Sequence, residues 1–319
     1  MLCHCSFGQV DSFAYFKELA EKGDTRAEYV TGSYYLLGKE AQLAKKWYGL
    51  AAEKHYPPAL MGLAFIYQFG LTGDKDSKVA FQYANEASDS NYAEGQSLLG
   101  YYYLSGEGVA SDSSVAEKYY RLAAAQNNPD AIATIGVWYF NGGMGMPQSY
   151  ELARPYVEKA AQAGVARSEF EMGLMYQHGW GGFPIDTPEA MMWYDRASQQ
   201  GHMTALNNYA WLCYLKKIKI EKGIQYIEAA LRINPYSLNS LDTYAALLCL
   251  AGEYDEALKW QKKALDYGGD KKGGFVERYG DILCKSGKSK DAMKYWRTAQ
   301  GIPGHSITLI TKITTGQCQ

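Results

Sequence analysis

Apolar and small residues along this chain recur on one face of a helix, and the pattern itself repeats. One motif is Ala, an aromatic residue three positions on, and small residues at seven and eight. It reads Ala44-Trp47-Tyr48-Ala51-Ala52, then Ala80-Tyr83-Ala84-Ala87-Ser88 and Ala116-Tyr119-Tyr120-Ala123-Ala124. It continues as Ala153-Tyr156-Val157-Ala160-Ala161 and Ala190-Trp193-Tyr194-Ala197-Ser198, at spacings of 36, 36, 37 and 37 residues. A second motif precedes each: an apolar residue or Thr, then Gly, with an aromatic usually three residues later. It stands at Gly32-Tyr35, Gly62-Phe65, Gly100-Tyr103, Gly136-Tyr139 and Gly173-Tyr176. Positions i, i+3, i+4 and i+7 share a helical face, so each period predicts a helix pair. Gly costs about 1 kcal/mol against Ala inside a helix. Its recurrence therefore predicts close approach of the second helix, with Ala accepting the contact and the aromatics filling the gap between successive pairs.

Glycine-rich loops separate the two helices, as in Ser105-Gly106-Glu107-Gly108-Val109 and Asn141-Gly142-Gly143-Met144-Gly145. The longest is His178-Gly179-Trp180-Gly181-Gly182-Phe183-Pro184. A phosphate-binding loop needs a strand before its glycines and a helix after them. These loops follow helices at the repeat period, which predicts helix termination instead.

On these residues the chain resembles a known family. Residues 27–202 look like five Sel-1-like repeats, whose pattern is Ala, Leu-Gly, Tyr, Gly-x-Gly-Val, then Lys-Ala-x-x-Trp-Tyr-x-x-Ala-Ala. The third matches closely, with Leu99-Gly100, Gly106-x-Gly108-Val109 and Ala116 onward; the first, with Leu37-Gly38-Lys39-Glu40, lacks the Gly-x-Gly-Val turn. Residues 1–26 match only a second helix, through Tyr15-Phe16 and Leu19-Ala20, and read as an N-terminal tail and half-repeat cap. Residues 203–300 resemble three tetratricopeptide repeats, with Ala210, Ala245 and Gly280 spaced 35 residues apart in first-helix slots. Residues 301–319 break the array at Gly301-Ile302-Pro303-Gly304 and predict a C-terminal capping helix over 306–314. The resemblance implies an all-α fold, a right-handed α-solenoid of stacked antiparallel helix pairs.

Composition narrows the function. Of 319 residues, 47% are hydrophobic and 21% charged, a globular balance. Net charge is -2, so no global field drives nucleic-acid binding. Residues 201–319 nevertheless hold 17 Lys/Arg against 11 Asp/Glu, leaving the acidic excess to the N-terminal two thirds. No apolar run has the roughly 18–20 residues of a membrane span. Ser6-Phe7-Gly8 before Gln9 offers small residues of the kind found at signal-peptide cleavage sites, giving an expectation of export to the periplasm or beyond; the alternative is the cytoplasm. The six cysteines match no disulfide framework or zinc site, and Cys213, Cys249 and Cys284 fall within helical apolar patterns as expected free thiols.

Catalytic chemistry has no visible seat. The five histidines form no metal-ligand pair, and Cys3-His4-Cys5 makes a poor cage. Neither a Gly-x-Ser-x-Gly elbow nor a Gly-x-x-x-x-Gly-Lys loop occurs. The expectation is a chain that is not an enzyme, with no cofactor and no metal. First helices line the concave side of such arrays. Positions one and four past each Gly slot give the inward candidates, including Leu63 and Ile66, and a candidate concave groove of Tyr101, Leu104, Phe140, Leu174, Trp211 and Tyr214. The opposing outcome is that curvature buries these residues against neighbouring helices. Trp180 and Phe183 form a candidate loop contact, unless the loop folds them onto its own array.

The expected partner is another protein, bound by an adaptor or scaffold. A finer alternative, implied by the resemblance alone, is a bacterial immunity protein that neutralises a secreted toxic enzyme such as a phospholipase. A third reading is an envelope enzyme dependent on His178.

Overall fold

A computed structural model describes residues 9–318, with side chains from residue 12. Among the described residues there are 18 α-helices and no strand, so the chain adopts the expected all-α solenoid architecture of paired helices. The helices fall into two compact units, divided between Ala163 and Gly164. This boundary lies within the series of five repeats, so compact units and repeat types are different partitions of the chain.

The first unit opens with α1 (Gln9–Glu21), which packs on α2 (Thr25–Leu37). Then come α3 (Ala41–Ala52), α4 (Pro57–Phe69), α5 (Ser77–Asp89) and α6 (Ala93–Ser105). It closes with α7 (Ser113–Ala125), α8 (Pro129–Asn141) and α9 (Tyr150–Gln162). The second unit holds α10 (Ala166–His178), α11 (Thr187–Gln199), α12 (Met203–Lys216), α13 (Ile220–Ile233) and α14 (Leu238–Ala251). It ends with α15 (Tyr254–Asp266), α16 (Gly273–Lys285), α17 (Ser289–Gln300) and α18 (Leu309–Thr315). Within each unit consecutive helices pack pairwise, even-numbered α2 to α16 being first helices.

Local chemistry sets these boundaries. Aspartates cap several second helices: Asp76 accepts from the amides of Lys78 and Val79, Asp112 from those of Ser114 and Val115, Asp186 from that of Glu189. The glycine-rich loops terminate first helices, as expected. Gly70, Gly106 and Gly179 each sit in the left-handed region, with φ of 61°, 75° and 72°, directly after α4, α6 and α10.

Gly32, Gly62, Gly100, Gly173 and Gly280 make room for rings, whereas Gly95 faces the Ala87 methyl and Gly136 faces Val157. A Cβ added to Gly32 would lie 2.6 Å from Tyr48 Cδ1, and one on Gly100 would lie 2.7 Å from Tyr120 Cδ2. Tyrosine hydroxyls in these helices reach a polar edge: Tyr48 with Ser33 at 3.1 Å, Tyr102 donating to Gln68 at 3.1 Å, Tyr194 donating to Gln177 at 2.6 Å. A ring that fills a notch and a hydroxyl that meets water or a polar neighbour account for the abundance of tyrosine, 28 in the chain.

The second repeat corrects the slot assignment. Tyr67 stacks on Tyr83 at 5.8 Å, as Tyr103 does on Tyr119 and Tyr139 on Tyr156. That alignment makes Ala64, not Gly62, the counterpart of Gly100. Leu63 and Ile66 are consequently buried in the core, and Gly62 instead receives the other edge of the Tyr48 ring.

The C-terminal helix starts three residues later than expected, at Leu309, whose side chain is fully buried. Lys312, also buried, bonds Glu277 Oε1 at 2.8 Å and Asp281 Oδ2 at 2.7 Å, pinning α18 to α16. Cys284 is not a free thiol: it forms a disulfide with Cys318, which returns the chain end to α16. Cys213 and Cys249 are buried and free. The small residues at 6–8 and the Cys3-His4-Cys5 run lie outside the described residues. No helix among the described residues is long and apolar enough to cross a membrane.

Candidate functional site

In the first unit the first-helix face carries exposed apolar side chains. Tyr101 is 40% exposed and Leu104 36%. With the corrected slot, Phe65 stands in line with Tyr101, one helix pair earlier, and is exposed as well. Tyr101 donates to Glu107 Oε1 at 3.1 Å. Glu107 also accepts from Lys75 at 2.8 Å and Gln68 at 2.6 Å, and this set of donors, Lys75 foremost, holds its carboxyl at about 2. Phe140 breaks the strip. It is only 5% exposed and packs edge-on against Tyr150 at 5.0 Å, so it belongs to the core and not to a groove.

In the second unit Leu174 is half-buried against the cluster around Tyr194 and Tyr209. The loop aromatics fold onto their own repeat: Trp180 stacks on His178 at 4.6 Å, and Phe183 meets Tyr176 at 4.6 Å. Both rings are half-buried.

Trp211 and Tyr214 are brought together, with ring centres 5.1 Å apart, but not as an apolar strip. Arg278 of α16 lies over both rings, its guanidinium carbon 5.1 Å from each centre. Its Nη1 donates to the Tyr214 hydroxyl at 3.0 Å, and its Nε to Asp242 Oδ1 of α14 at 2.8 Å. Burial works against the guanidinium charge, yet Asp242 and its neighbours more than offset this and raise the Arg278 pKa. Gln261 Nε2 adds a 2.7 Å bond to the same carboxylate oxygen and a 3.1 Å bond to the Phe275 carbonyl. Three first helices are thus locked around one tryptophan.

Beside this cluster opens a cleft of about 480 Å³. One wall is α12, through Asn207, Asn208 and Trp211; another is α14, through Asn239, Asp242 and Thr243. Lys271 and Lys272, just before α16, join Phe275 and Arg278 on the third side, and Pro303 and Gly304 close the end. The Asn207 Oδ1 atom is buried without a hydrogen-bond partner. Asn208 Nδ2 makes only a long 3.4 Å contact to the Tyr194 hydroxyl. Most of these polar residues fall two or three positions before the small first-helix slot: Asn207-Asn208, Asp242-Thr243 and Arg278, which follows Glu277 in the third pair, precede Ala210, Ala245 and Gly280. Counting only forward from the slot misses them. The available signal is a polar pair interrupting an apolar helical stripe at the repeat period.

Two other buried polar groups stand apart from the cleft's floor. Glu171 in α10 is 3% exposed; its Oε2 has no partner and Arg167 lies 3.4 Å from Oε1. Burial pushes its carboxyl up to about 7, with Arg167 countering only part of the effect. Around Lys312 the two acids diverge. Burial raises Asp281, whereas for Glu277 the bonds from Lys312 and Ser306 outweigh burial and keep it low.

The cleft supplies amide donors and acceptors, cations and aromatic faces. Its lining holds no His, Cys or Ser, and its one carboxylate is tied to Arg278. Such a set suits holding a ligand through hydrogen bonds and stacking.

A family model described as Sel1 repeat matches residues 25–56, 57–92, 93–128, 129–165 and 166–202. No curated protein matches the chain. Among solved structures, a Sel1 repeat protein from Oxalobacter formigenes is 27% identical with a TM-score of 0.57, the match covering 65% of this chain and 85% of that one. The protective antigen c5321 of uropathogenic Escherichia coli strains, which displays an SLR fold, is 21% identical with a TM-score of 0.57, covering 91% of this chain and 71% of that one.

Proposed function

We propose that this chain, which belongs to the Sel1 repeat family, is a non-catalytic scaffold that holds a segment of a partner protein in the Trp211 cleft. Sel1 repeat proteins generally mediate protein–protein interaction on helical scaffolds that are not enzymes. The observation that carries the reading is the combination in that cleft of an aromatic ring fixed by Arg278 with polar side chains whose bonding capacity is unspent. Tryptophan and arginine held rigid in a pocket are the residue types that dominate binding energy at interfaces. The exposed strip of Phe65, Tyr101 and Leu104 supports a further contact area on the first unit, described by itself.

The test is quantitative capture of partners from native cells by tagged wild-type protein and by Trp211→Ala and Lys272→Glu variants whose helicity is unchanged. Loss of the same partner with both variants bears the reading out; an unchanged partner set contradicts it. Neutralisation of a secreted toxic enzyme is the finer form of this reading, and the identity of the lost partner decides it.

We also infer that the chain works in an oxidising compartment. The Cys284–Cys318 bond supports this, since such bonds persist outside the reducing cytosol. Thiol labelling of protein taken directly from its native cells tests it: Cys284 and Cys318 found as reactive thiols on unfolding would contradict an oxidising compartment.

A further inference from the structure

A second surface of the same unit lies between the second helices α11 and α13 and is independent of the Trp211 cleft. The turn from α12 into α13 reads Lys216-Lys217-Ile218-Lys219, and all four residues are exposed. Lys217 closes α12 in the left-handed region at φ 55°, the place that Gly70, Gly106 and Gly179 take after α4, α6 and α10. Lys219 repeats the conformation at φ 48°. Glycine adopts it without steric cost and lysine does not, so two lysines are held here against backbone preference, the kind of outlier found at functional surfaces. Between them Ile218, 42% exposed, joins Met192 (43%) and Pro188 of α11 along a cleft of about 500 Å³.

The nearby acids do not cancel the cations. Lys216, Lys217 and Lys219 enter no ion pair among the described residues, whereas Lys222 is held by Asp195 at 2.5 Å. Asp195 also accepts from the Tyr226 hydroxyl, and Asp186 is spent on capping α11. Glu189 and Glu221 flank the cleft without lining it. Residue type then selects the partner. Protein interfaces favour aromatic rings and arginine and are depleted of lysine. The cleft has no arginine, and its one aromatic residue, Tyr209, is buried. A lysine charge on a flexible stem needs no fixed partner geometry. It suits a fluid layer of phosphates, into whose apolar boundary an exposed aliphatic side chain can dip.

We propose that this turn docks the protein on the surface of an anionic bilayer. Lys216, Lys217 and Lys219 meet the headgroup phosphates, and Ile218, with Met192 and Pro188 beside it, enters the acyl boundary.

The test is co-sedimentation of the full chain with vesicles of phosphatidylglycerol and phosphatidylcholine in equal parts, against vesicles of phosphatidylcholine alone. Partition to the anionic vesicles should be at least tenfold stronger, and the difference should shrink on raising NaCl from about 0.1 to 0.5 M as the charges are screened. A lysine near such a surface adds about fivefold to partition, so Lys217→Gly/Lys219→Gly, which also suits the left-handed backbone, should lower it at least tenfold with helicity and thermal stability retained. Ile218→Ser should weaken binding to the anionic vesicles yet leave their preference over the neutral ones. Equal partition to the two vesicles, no partition to either, or indifference to the lysine removal overturns the proposal. If vesicles fail to bind while the glycine variant loses an acidic protein from native cells, the turn is a protein contact and the bilayer is excluded. Vesicle binding that survives Trp211→Ala separates this surface from the scaffold cleft, and either result there leaves the other reading to its own test.

Discussion

Arg278 stacks over Trp211, its guanidinium carbon 5.1 Å from the ring centre, while its Nε bonds Asp242. These contacts join three successive first helices, so the cleft wall is one rigid piece. Removing the arginine leaves Asp242, almost wholly buried, without its cation. Arg278→Met should cost roughly 3–5 kcal/mol, the penalty for breaking a buried pair from one side. The double variant Arg278→Met/Asp242→Asn should recover a large part of it. Urea unfolding of the three proteins measures both numbers, and equal loss in single and double variants would contradict the pairing.

Glu171 predicts a pH dependence. Its carboxyl titrates near 7 in the folded protein against an ordinary value of 4.5, so the folded state retains a proton that the unfolded chain has lost. The stabilising effect of this difference is fully present below about 4.5 and is lost as pH rises towards and through 7, a total of about 3 kcal/mol. Glu171→Gln should be more stable than wild type at pH 8 and show no such slope between pH 5 and 7. The difference between the two stability–pH curves is the measurement.

Lys312 lies between Glu277 and Asp281. Lys312→Met strands the buried Glu277 and the half-buried Asp281 and should destabilise the second unit by roughly 3–5 kcal/mol. Chemical unfolding followed by circular dichroism reads this, and a change under about 1 kcal/mol would mean that α18 is held by Leu309 and the disulfide alone.

Two glycines predict opposite signs. Gly100→Ala drives a methyl into the Tyr120 ring and should cost about 1–3 kcal/mol. Gly49→Ala in α3 meets nothing within 4 Å and should stabilise by about 1 kcal/mol. Thermal unfolding of both checks the claim that Gly100 is a notch for the Tyr120 ring.

The helix pairs, their period and their glycine-terminated loops were legible because they follow from spacing alone. The slot in the second repeat was not, because Gly62 offered a glycine two residues from the true position at Ala64. Phe140 read as a groove residue by register, yet its ring turns into the core against Tyr150, a neighbour that the helix period does not name. The cleft was half legible. Trp211 and Tyr214 came from counting forward, while Asn207, Asp242 and Arg278 lie upstream of their slots on the same face. Cys284 paired with Cys318 because the tail folds back on α16, a tertiary event that cysteine spacing does not encode.

Hydrogen–deuterium exchange on the protein with and without its captured partner tests the central claim most directly. Binding in the Trp211 cleft predicts added protection in α12, α14, the 269–272 turn and α16, with α13, α15 and α17 unchanged. Protection confined to the second helices, or to none of these segments, would contradict it.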